Sequence, residues 1–445
     1  MRRVLAVALL AVPALLSSAG RAADTAAMPQ PPGLIANVEH RKTVSLNGAW
    51  HYIVDPYDSG YYDYRHQPRK DGYFENAKAK TPQRSFTYRK AASGRVFLYI
   101  GAANYLSRLY VNGLPACEHE GGFTSFNCEV TGLVKDGDNF VVIYVNNQRR
   151  RDAVPTDTTD WWNYGGLTRD VELVEVPAAF LEDYFLQAPK GTSGVIDGWV
   201  KDRNANFARL AHYPHNRNMS RVADRTGLFL WSEIPVYWTI DWENPATLAN
   251  ARRQLAEMIH RDKNRASVML WSVGNETPVI PARLAFMTAL VRTSHELDPS
   301  RPVTAALETH YAEPNVKIID DPLGKELDVL GCNEYIGWYE RTPEDADLIS
   351  WKTTYDKSLV MSEFGGDARA GRHGSADERW TEEYQENLYR HQTVMLQKID
   401  FLRGTSPWIL TDFRSPRRVL PGIQDNYNRK GLVSDKARGR GRSTC

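Results

Sequence analysis

Cysteine is scarce in this chain, and neither sign of charge prevails. Four cysteines in 445 residues exclude a disulfide-dense scaffold. The histidines and cysteines show no His-x-x-x-His or Cys-x-x-Cys spacing, so no metal or other cofactor is expected. Lysine plus arginine number 55 and aspartate plus glutamate 54. The net charge of +1 therefore gives no argument for nucleic acid or an anionic membrane as partner. Internal repeats and low-complexity tracts are missing, apart from a basic tail at 436–445. Long apolar runs are missing too, except at the start. Met1-Arg2-Arg3 precedes an apolar stretch from Val4 to Leu16 broken only by Pro13. That stretch is too short to span a bilayer and reads as a signal peptide over 1–23, cut between Ala19 and Ala23. Export to the periplasm or the medium is expected, with no membrane contact after cleavage.

What is abundant is aromatic. Twelve Trp and 22 Tyr supply flat apolar faces with polar tips. Core packing accounts for most of them, and the remainder suit the C–H faces of sugars. Export also permits disulfides. Cys117 and Cys128 flank Gly121-Gly122 between strand-like runs. The spacing would set them across a hairpin, as a bridge or as two free thiols. Cys332 lies in an apolar run and reads as a buried thiol.

The texture of the chain changes once. Residues 24–42 read as a loose lead-in. Over 43–180, short runs such as Val96–Ile100, Arg108–Val111 and Phe140–Val145 are separated by Asn112-Gly113, Gly121-Gly122 and Asp136-Gly137-Asp138. This is the pattern of an all-β sandwich. From about Asn204 strands and helices alternate. Strand-like runs fall at Ala205–Ala211, Leu228–Ile234, Ser267–Val273, Pro302–Leu307, Leu327–Cys332, Ser358–Ser362 and Ser406–Leu410, with helical patterns at Ala246–Arg261 and Pro281–Leu297. Repeated β-α units imply a parallel sheet. A (β/α)8 barrel needs eight strands, so the second unit, over 195–435, reads as an incomplete TIM barrel.

Two glutamates end apolar strands of that unit. One closes Ser267-Val-Met-Leu-Trp-Ser-Val-Gly-Asn275-Glu276, the other sits in Leu359-Val-Met-Ser-Glu363-Phe-Gly-Gly. A carboxylate at the end of a buried strand is costly unless paired or useful, and the carboxyl-end face is where barrel enzymes keep their sites. Two rim acids held in salt bridges would satisfy the same pattern. Several neighbouring motifs add to it: Arg209-Leu-Ala-His212-Tyr213-Pro214, Trp231-Ser-Glu233-Ile-Pro, Cys332-Asn333-Glu-Tyr335-Ile-Gly-Trp338-Tyr339, His119-Glu-Gly-Gly-Phe-Thr and Asp160-Trp-Trp-Asn163-Tyr-Gly-Gly. With these motifs in this order the chain resembles glycoside hydrolase family 2, in its β-glucuronidase branch, from about Val44 to Asp435.

The resemblance implies a jelly-roll sandwich followed by a catalytic barrel. It implies Glu276 as acid/base and Glu363 as nucleophile of a retaining glycosidase. Asn275 would bind the sugar 2-hydroxyl and Tyr335 would hold the nucleophile. Asp160, Arg209, His212, Asn333, Tyr339 and Trp408 would line the sugar site. Glu276 would begin protonated and Glu363 ionised. Asn428 and Lys430, in Asn428-Arg429-Lys430-Gly431, look like the pair that binds a uronate carboxylate, because a fixed cation rejects neutral sugars whose desolvation leaves it uncompensated. The partner implied is a β-glycoside ending in a uronic acid, and the family often forms homo-oligomers. Members usually carry an immunoglobulin-like sandwich between jelly roll and barrel. Fewer than thirty residues separate Val176 from Ala205 here, too few for a sandwich of roughly 100 residues and too few for the first barrel strand and helix. Trp408 also lacks the Asn that usually follows it. A β-galactosidase or β-galacturonidase of the same family, and an inactive remnant that only binds carbohydrate, are the alternatives.

Overall fold

The computed structural model describes residues 33–58, 63–65, 84–89, 94–187 and 205–436. The expected signal peptide at 1–23, residues 195–204 of the expected barrel unit and most of the basic tail lie outside these residues.

The first unit is a sandwich of two antiparallel sheets. Its strands are β1 (Lys42–Ser45), β2 (Arg84–Tyr88), β3 (Arg95–Ile100), β4 (Leu106–Val111), β5 (Leu114–Glu120), β6 (Phe126–Glu129), β7 (Gly137–Asn146) and β8 (Val171–Val176). One sheet runs β1-β8-β3-β6 and the other β2-β7-β4-β5. Leu98, Ile100, Leu109, Val111, Val141 and Leu173 fill the space between them. Asn112 (φ 53) and Gly113 (φ 80) make the β4–β5 hairpin in the left-handed region that a primed two-residue turn requires.

Two expectations for this unit change. Residues 33–41 are packed rather than loose. Leu34, Ile35 and Val38 cover Phe97, Tyr99, Val174 and Val176 on the outer face of the first sheet, and Ile35 N–H donates to Asn127 at 2.8 Å. That is why β3 is buried on both faces instead of alternating. Cys117 and Cys128 are disulfide-bonded, with Cα atoms 5.9 Å apart, but not across a hairpin. Cys117 is on β5 and Cys128 on β6, the edge strands of opposite sheets. The Gly121-Gly122 turn carries the chain from one sheet to the other, so the bridge ties the two layers together.

The second unit is a seven-stranded, all-parallel sheet in chain order: β9 (Phe207–Leu210), β10 (Phe229–Glu233), β11 (Val268–Asn275), β12 (Val303–Leu307), β13 (Leu330–Glu334), β14 (Leu359–Phe364) and β15 (Leu402–Thr405). Helices α1 (Arg217–Thr226), α2 (Pro245–Asp262), α3 (Pro281–Leu297) and α4 (Glu382–Gln397) follow β9, β10, β11 and β14. Their caps are local: Asn216, Asn244 and Thr381 each accept a first-turn N–H. Among the described residues β9 and β15 are not hydrogen-bonded to each other, as expected of a nearly closed barrel short of a strand. The last strand lies at Leu402–Thr405 and not at Ser406–Leu410. Ser406 and Trp408 still donate N–H groups to Met361 and Phe364 of β14, so the chain goes on bonding to β14 past the end of the regular strand.

The sandwich docks on α2 through buried amides. Gln254 bonds the Val154 carbonyl and Asn250 bonds the Tyr105 hydroxyl, both at 2.8 Å. This fixes the sandwich loop carrying Asp160 and Trp161 over the carboxyl ends of the barrel strands.

Candidate active site

The site is assembled from the carboxyl ends of five barrel strands and the loops beyond them. β9 supplies Arg209, β10 Glu233, β11 Asn275 with Glu276 just after it, β13 Asn333, and β14 Glu363. Period-2 alternation makes these polar groups point inward while their apolar neighbours face the helices.

Arg209 is the hub. Its guanidinium is buried and donates to Glu363 at 2.6 Å, to Asn275 Oδ1 at 2.7 Å and to Glu233 at 2.9 Å. Glu233 also accepts from Trp231 Nε1 (2.9 Å) and Ser272 (2.7 Å), and its Oε1 lies 3.0 Å from His212 Nδ1. Burial would push the Glu233 carboxyl up; the charge of Arg209 and the bonds from His212 and Ser272 outweigh it and hold the group at about 2. Glu233 is thus a permanent anion that fixes Arg209 and His212.

Glu363 accepts from Arg209 on one oxygen and from the Tyr335 hydroxyl on the other. His212 Nε2 stands 3.7 Å away. Burial pushes the Glu363 carboxyl above its ordinary value, the charge of Arg209 pulls it back, and the charge of Glu276 pushes it up again. The net direction is upward. Burial in a site shared with a second carboxylate outweighs the single arginine.

Glu276 sits at φ 47, in the left-handed region, directly beyond the last residue of β11. An L-residue held there stores strain, a common feature of functional positions. Its carboxyl accepts from Asn333 Nδ2 at 2.6 Å and from Trp238 Nε1 at 2.8 Å. Asn275 is held through Oδ1 by Arg209 and by Asn333 (3.1 Å). Its Nδ2 is buried with no protein acceptor, so it has a donor left for a ligand.

A second cluster adjoins the first. Lys430, only 1% exposed, donates to the Tyr339 hydroxyl at 2.7 Å and lies 3.2 Å from Asp367. Its ammonium sits over the rings of Tyr339, Tyr335 and Trp338. Burial pushes the ammonium pKa down, but Asp367 leads the charges that pull it up, and the net shift is upward. Lys430 therefore keeps its charge despite burial. Asn428 bonds Asp160 at 3.2 Å, and Asp160 is bound by Ser415 (2.8 Å) and Arg418 (2.6 Å). Asp160 thus reaches the barrel as expected, clamped by Arg418. Trp408 stacks on His212 at 4.9 Å, and Trp161 packs on His212 and Tyr237.

All twelve residues expected in the site fall in these two clusters. Sequence reasoning missed Glu233, Trp238, Asp367 and Arg418. Glu233 had the signal that exposed the other two glutamates, a carboxylate closing an apolar strand. Arg418 sits in Arg417-Arg418 and has the look of surface charge.

Comparison with known proteins adds to this geometry. Residues 198–420 match the family model for glycosyl hydrolases family 2, TIM barrel domain, and residues 34–177 the model for that family's sugar binding domain. A β-glucuronidase of Chlorocebus aethiops is 31% identical over 508 residues, covering 77% of this chain and 76% of the relative. One of Paenibacillus borealis is 23% identical over 577 residues, covering 88% and 94%. Both alignments are longer than the chain, so the relatives carry stretches that this chain lacks. Among solved structures, a β-glucuronidase of an uncultured Clostridium sp. superposes with a TM-score of 0.75 at 20% identity, over 93% of this chain and 98% of that one. A β-glucuronidase of Ruminococcus gnavus in complex with D-glucuronic acid gives 0.73 at 18%, over 92% and 97%. At such identities these likenesses are of fold.

Proposed function

The chain belongs to glycosyl hydrolase family 2 and is a glycosidase, and from that premise we propose that it hydrolyses terminal β-D-glucuronides with retention of anomeric configuration. In this reading Glu276 donates its proton to the glycosidic oxygen while Glu363 attacks the anomeric carbon. The leaving group departs and a glycosyl-enzyme forms. Glu276, now ionised, takes a proton from water, and the oxygen of that water displaces Glu363. Arg209 and the Tyr335 hydroxyl hold both oxygens of Glu363, which orients the attacking lone pair and stabilises the carboxylate when it leaves. The free Nδ2–H of Asn275 suits the sugar 2-hydroxyl, a bond that tightens in the transition state.

The observation that carries the choice of a uronate is the burial of Lys430. A charged ammonium lies against Tyr335, the residue that bonds the nucleophile. A neutral galactoside would leave that cation without an anionic partner from the substrate, whereas a uronate carboxylate would meet it. The relatives named β-glucuronidase support the same choice. The basic and apolar first residues support an exported enzyme.

Proton NMR of the reaction in progress tests the mechanism. We expect β-glucuronic acid to appear first and the α-anomer to grow in only by mutarotation. Initial release of the α-anomer would mean inversion and would remove Glu363 from the role of nucleophile.

A further inference from the structure

Two of the tyrosines that shape this site stand on one short loop. Tyr335 bonds Glu363 and Tyr339 bonds Lys430. The loop runs from Glu334, the last residue of β13, to Glu340. Its turn is tight: the Trp338 and Tyr339 N–H groups donate to the Tyr335 carbonyl at 2.9 and 3.1 Å, and Gly337 N–H donates to the Glu340 carbonyl at 2.7 Å. Helix α4 grips its middle, where Gln392 donates to the Ile336 carbonyl at 2.8 Å.

The two ends of the loop are fixed from another side. His310–Glu313, Val316–Ile319 and Ser350–Thr353 form a small sheet with Val316–Ile319 in its middle. Ile319 and Trp351 are buried in the barrel core, which anchors that sheet. Period-2 alternation sends Lys317 to the same face as Ile319. Lys317 is buried, and its ammonium lies 3.2 Å from Glu334 and 2.8 Å from Glu340. It also lies over the Tyr311 ring at 4.5 Å, where the Arg341 guanidinium stands at 4.4 Å. Burial pushes the Lys317 ammonium pKa down, but Glu334 and Glu340 pull it up and the net shift is upward, so the group keeps its charge. The other oxygen of Glu334 accepts the Ile336 N–H at 2.6 Å. One cation thus joins the start of the loop to its end.

We propose that Lys317 is a positioning residue of this site. By clamping Glu334 to Glu340 it sets Tyr335 against Glu363 and Tyr339 against Lys430, and so ties the small outer sheet to the reacting carboxylate and to the cation together. This rests on the glucuronidase reading and deepens it.

The test is Lys317→Met in the full chain, assayed on an aryl β-glucuronide and the matching β-galactoside. Cys117→Ser/Cys128→Ser serves as a chain destabilised away from the site. A loop that loses one clamp but keeps α4 should lower glucuronide kcat by about tenfold, less than the roughly hundredfold that a 1 Å misplacement can cost. Glu363 faces Arg209, His212, Glu276 and Tyr335. Burial leads the influences on its carboxyl and raises it, and the Tyr335 bond is among those that lower it. Loosening Tyr335 should therefore move the acid limb of kcat/KM upward, and loosening Tyr339 should lower the glucuronide-to-galactoside ratio. Lys317→Met leaves Glu334 buried without its cation, a costly state. Lys317→Met/Glu334→Gln removes both charges and keeps an acceptor for Ile336, which gives a second chain for the same measurements. A limb and a ratio unchanged in both variants would overturn the proposal, as would equal shifts in the disulfide variant. Failure of the intact chain to cleave the aryl glucuronide would instead overturn the glucuronidase reading. Hydrogen exchange then decides the clamp. The amides of Ile336, Gly337 and Tyr339 should exchange faster in Lys317→Met/Glu334→Gln than in the disulfide variant, and equal exchange would overturn it.

Discussion

At the scale of single residues, the site turns on one arginine serving two glutamates with opposite results. Glu233 is held at about 2 and Glu363 is pushed above its ordinary value. The difference lies in their other partners. Glu233 gains bonds from His212, Ser272 and Trp231, whereas Glu363 faces the charge of Glu276. In the proposed mechanism Glu363 is the nucleophile and must be ionised, so activity should fall as pH drops through the Glu363 pKa. The acid limb of kcat/KM should therefore lie above the ordinary glutamate value of about 4.3, with the limb belonging to the coupled pair. Arg209→Lys, which cannot serve Glu233 and Glu363 in the same forked geometry, should move that limb upward. A limb at or below the ordinary value would contradict the charge balance described. Glu233 acts on stability with the opposite sign. Its depressed pKa contributes stability that is complete above its unfolded value near 4.3 and lost as pH falls towards about 2. The shift corresponds to about 3 kcal/mol. Urea unfolding from pH 6 down to pH 3 should show this loss, and Glu233→Gln should flatten it.

At the scale of elements, the sandwich and barrel were legible to different degrees. Alternating short runs and Gly-rich turns announced the sandwich, and the β-α alternation announced the sheet. The helices at Pro245–Asp262 and Pro281–Leu297 match their expected spans closely because each has a Pro or Asn start and a clear apolar stripe. The last strand was misplaced because Ser406 and Trp408 go on bonding to β14 beyond the regular ladder, in a run whose apolar residues read as a strand. The sequence left Cys117 and Cys128 open as a bridge or as two free thiols and set them in one hairpin, because sequence spacing is blind to whether a glycine turn reverses within a sheet or crosses to the other. The bridge between β5 and β6 closes a short loop at the open edge of the sandwich. Chain-entropy reasoning gives it about 2–3 kcal/mol. Cys117→Ser/Cys128→Ser should lower the melting temperature by several degrees with little change in KM. An unchanged melting temperature would show that the sandwich core alone holds those edges.

At the scale of the whole molecule, two units share one site. The two glutamates proposed as catalytic could be found from strand ends, because a buried charge stands out in an apolar run. Asp160 could be found only through the family resemblance, since its place depends on how the sandwich docks on α2 and on the loop at 413–418. Arg418 and Asp367 escaped for the same reason: their importance comes from partners distant in sequence. The docking also bears on the missing middle domain. Buried amide bonds from Asn250 and Gln254 to the sandwich hold the two units together directly.

In the proposed function this shortened frame holds Glu276 and Glu363 beside Lys430, the cation that would select a uronate. The most direct test is hydrolysis of paired chromogenic β-glucuronide and β-galactoside by the purified chain, by Lys430→Ala and by Glu363→Ala. We expect glucuronide turnover that vanishes in Glu363→Ala and a glucuronide-to-galactoside ratio that falls by about a hundredfold or more in Lys430→Ala, as loss of a buried charge-assisted contact of about 3 kcal/mol requires. Turnover of the galactoside alone, or a ratio indifferent to Lys430, would contradict it.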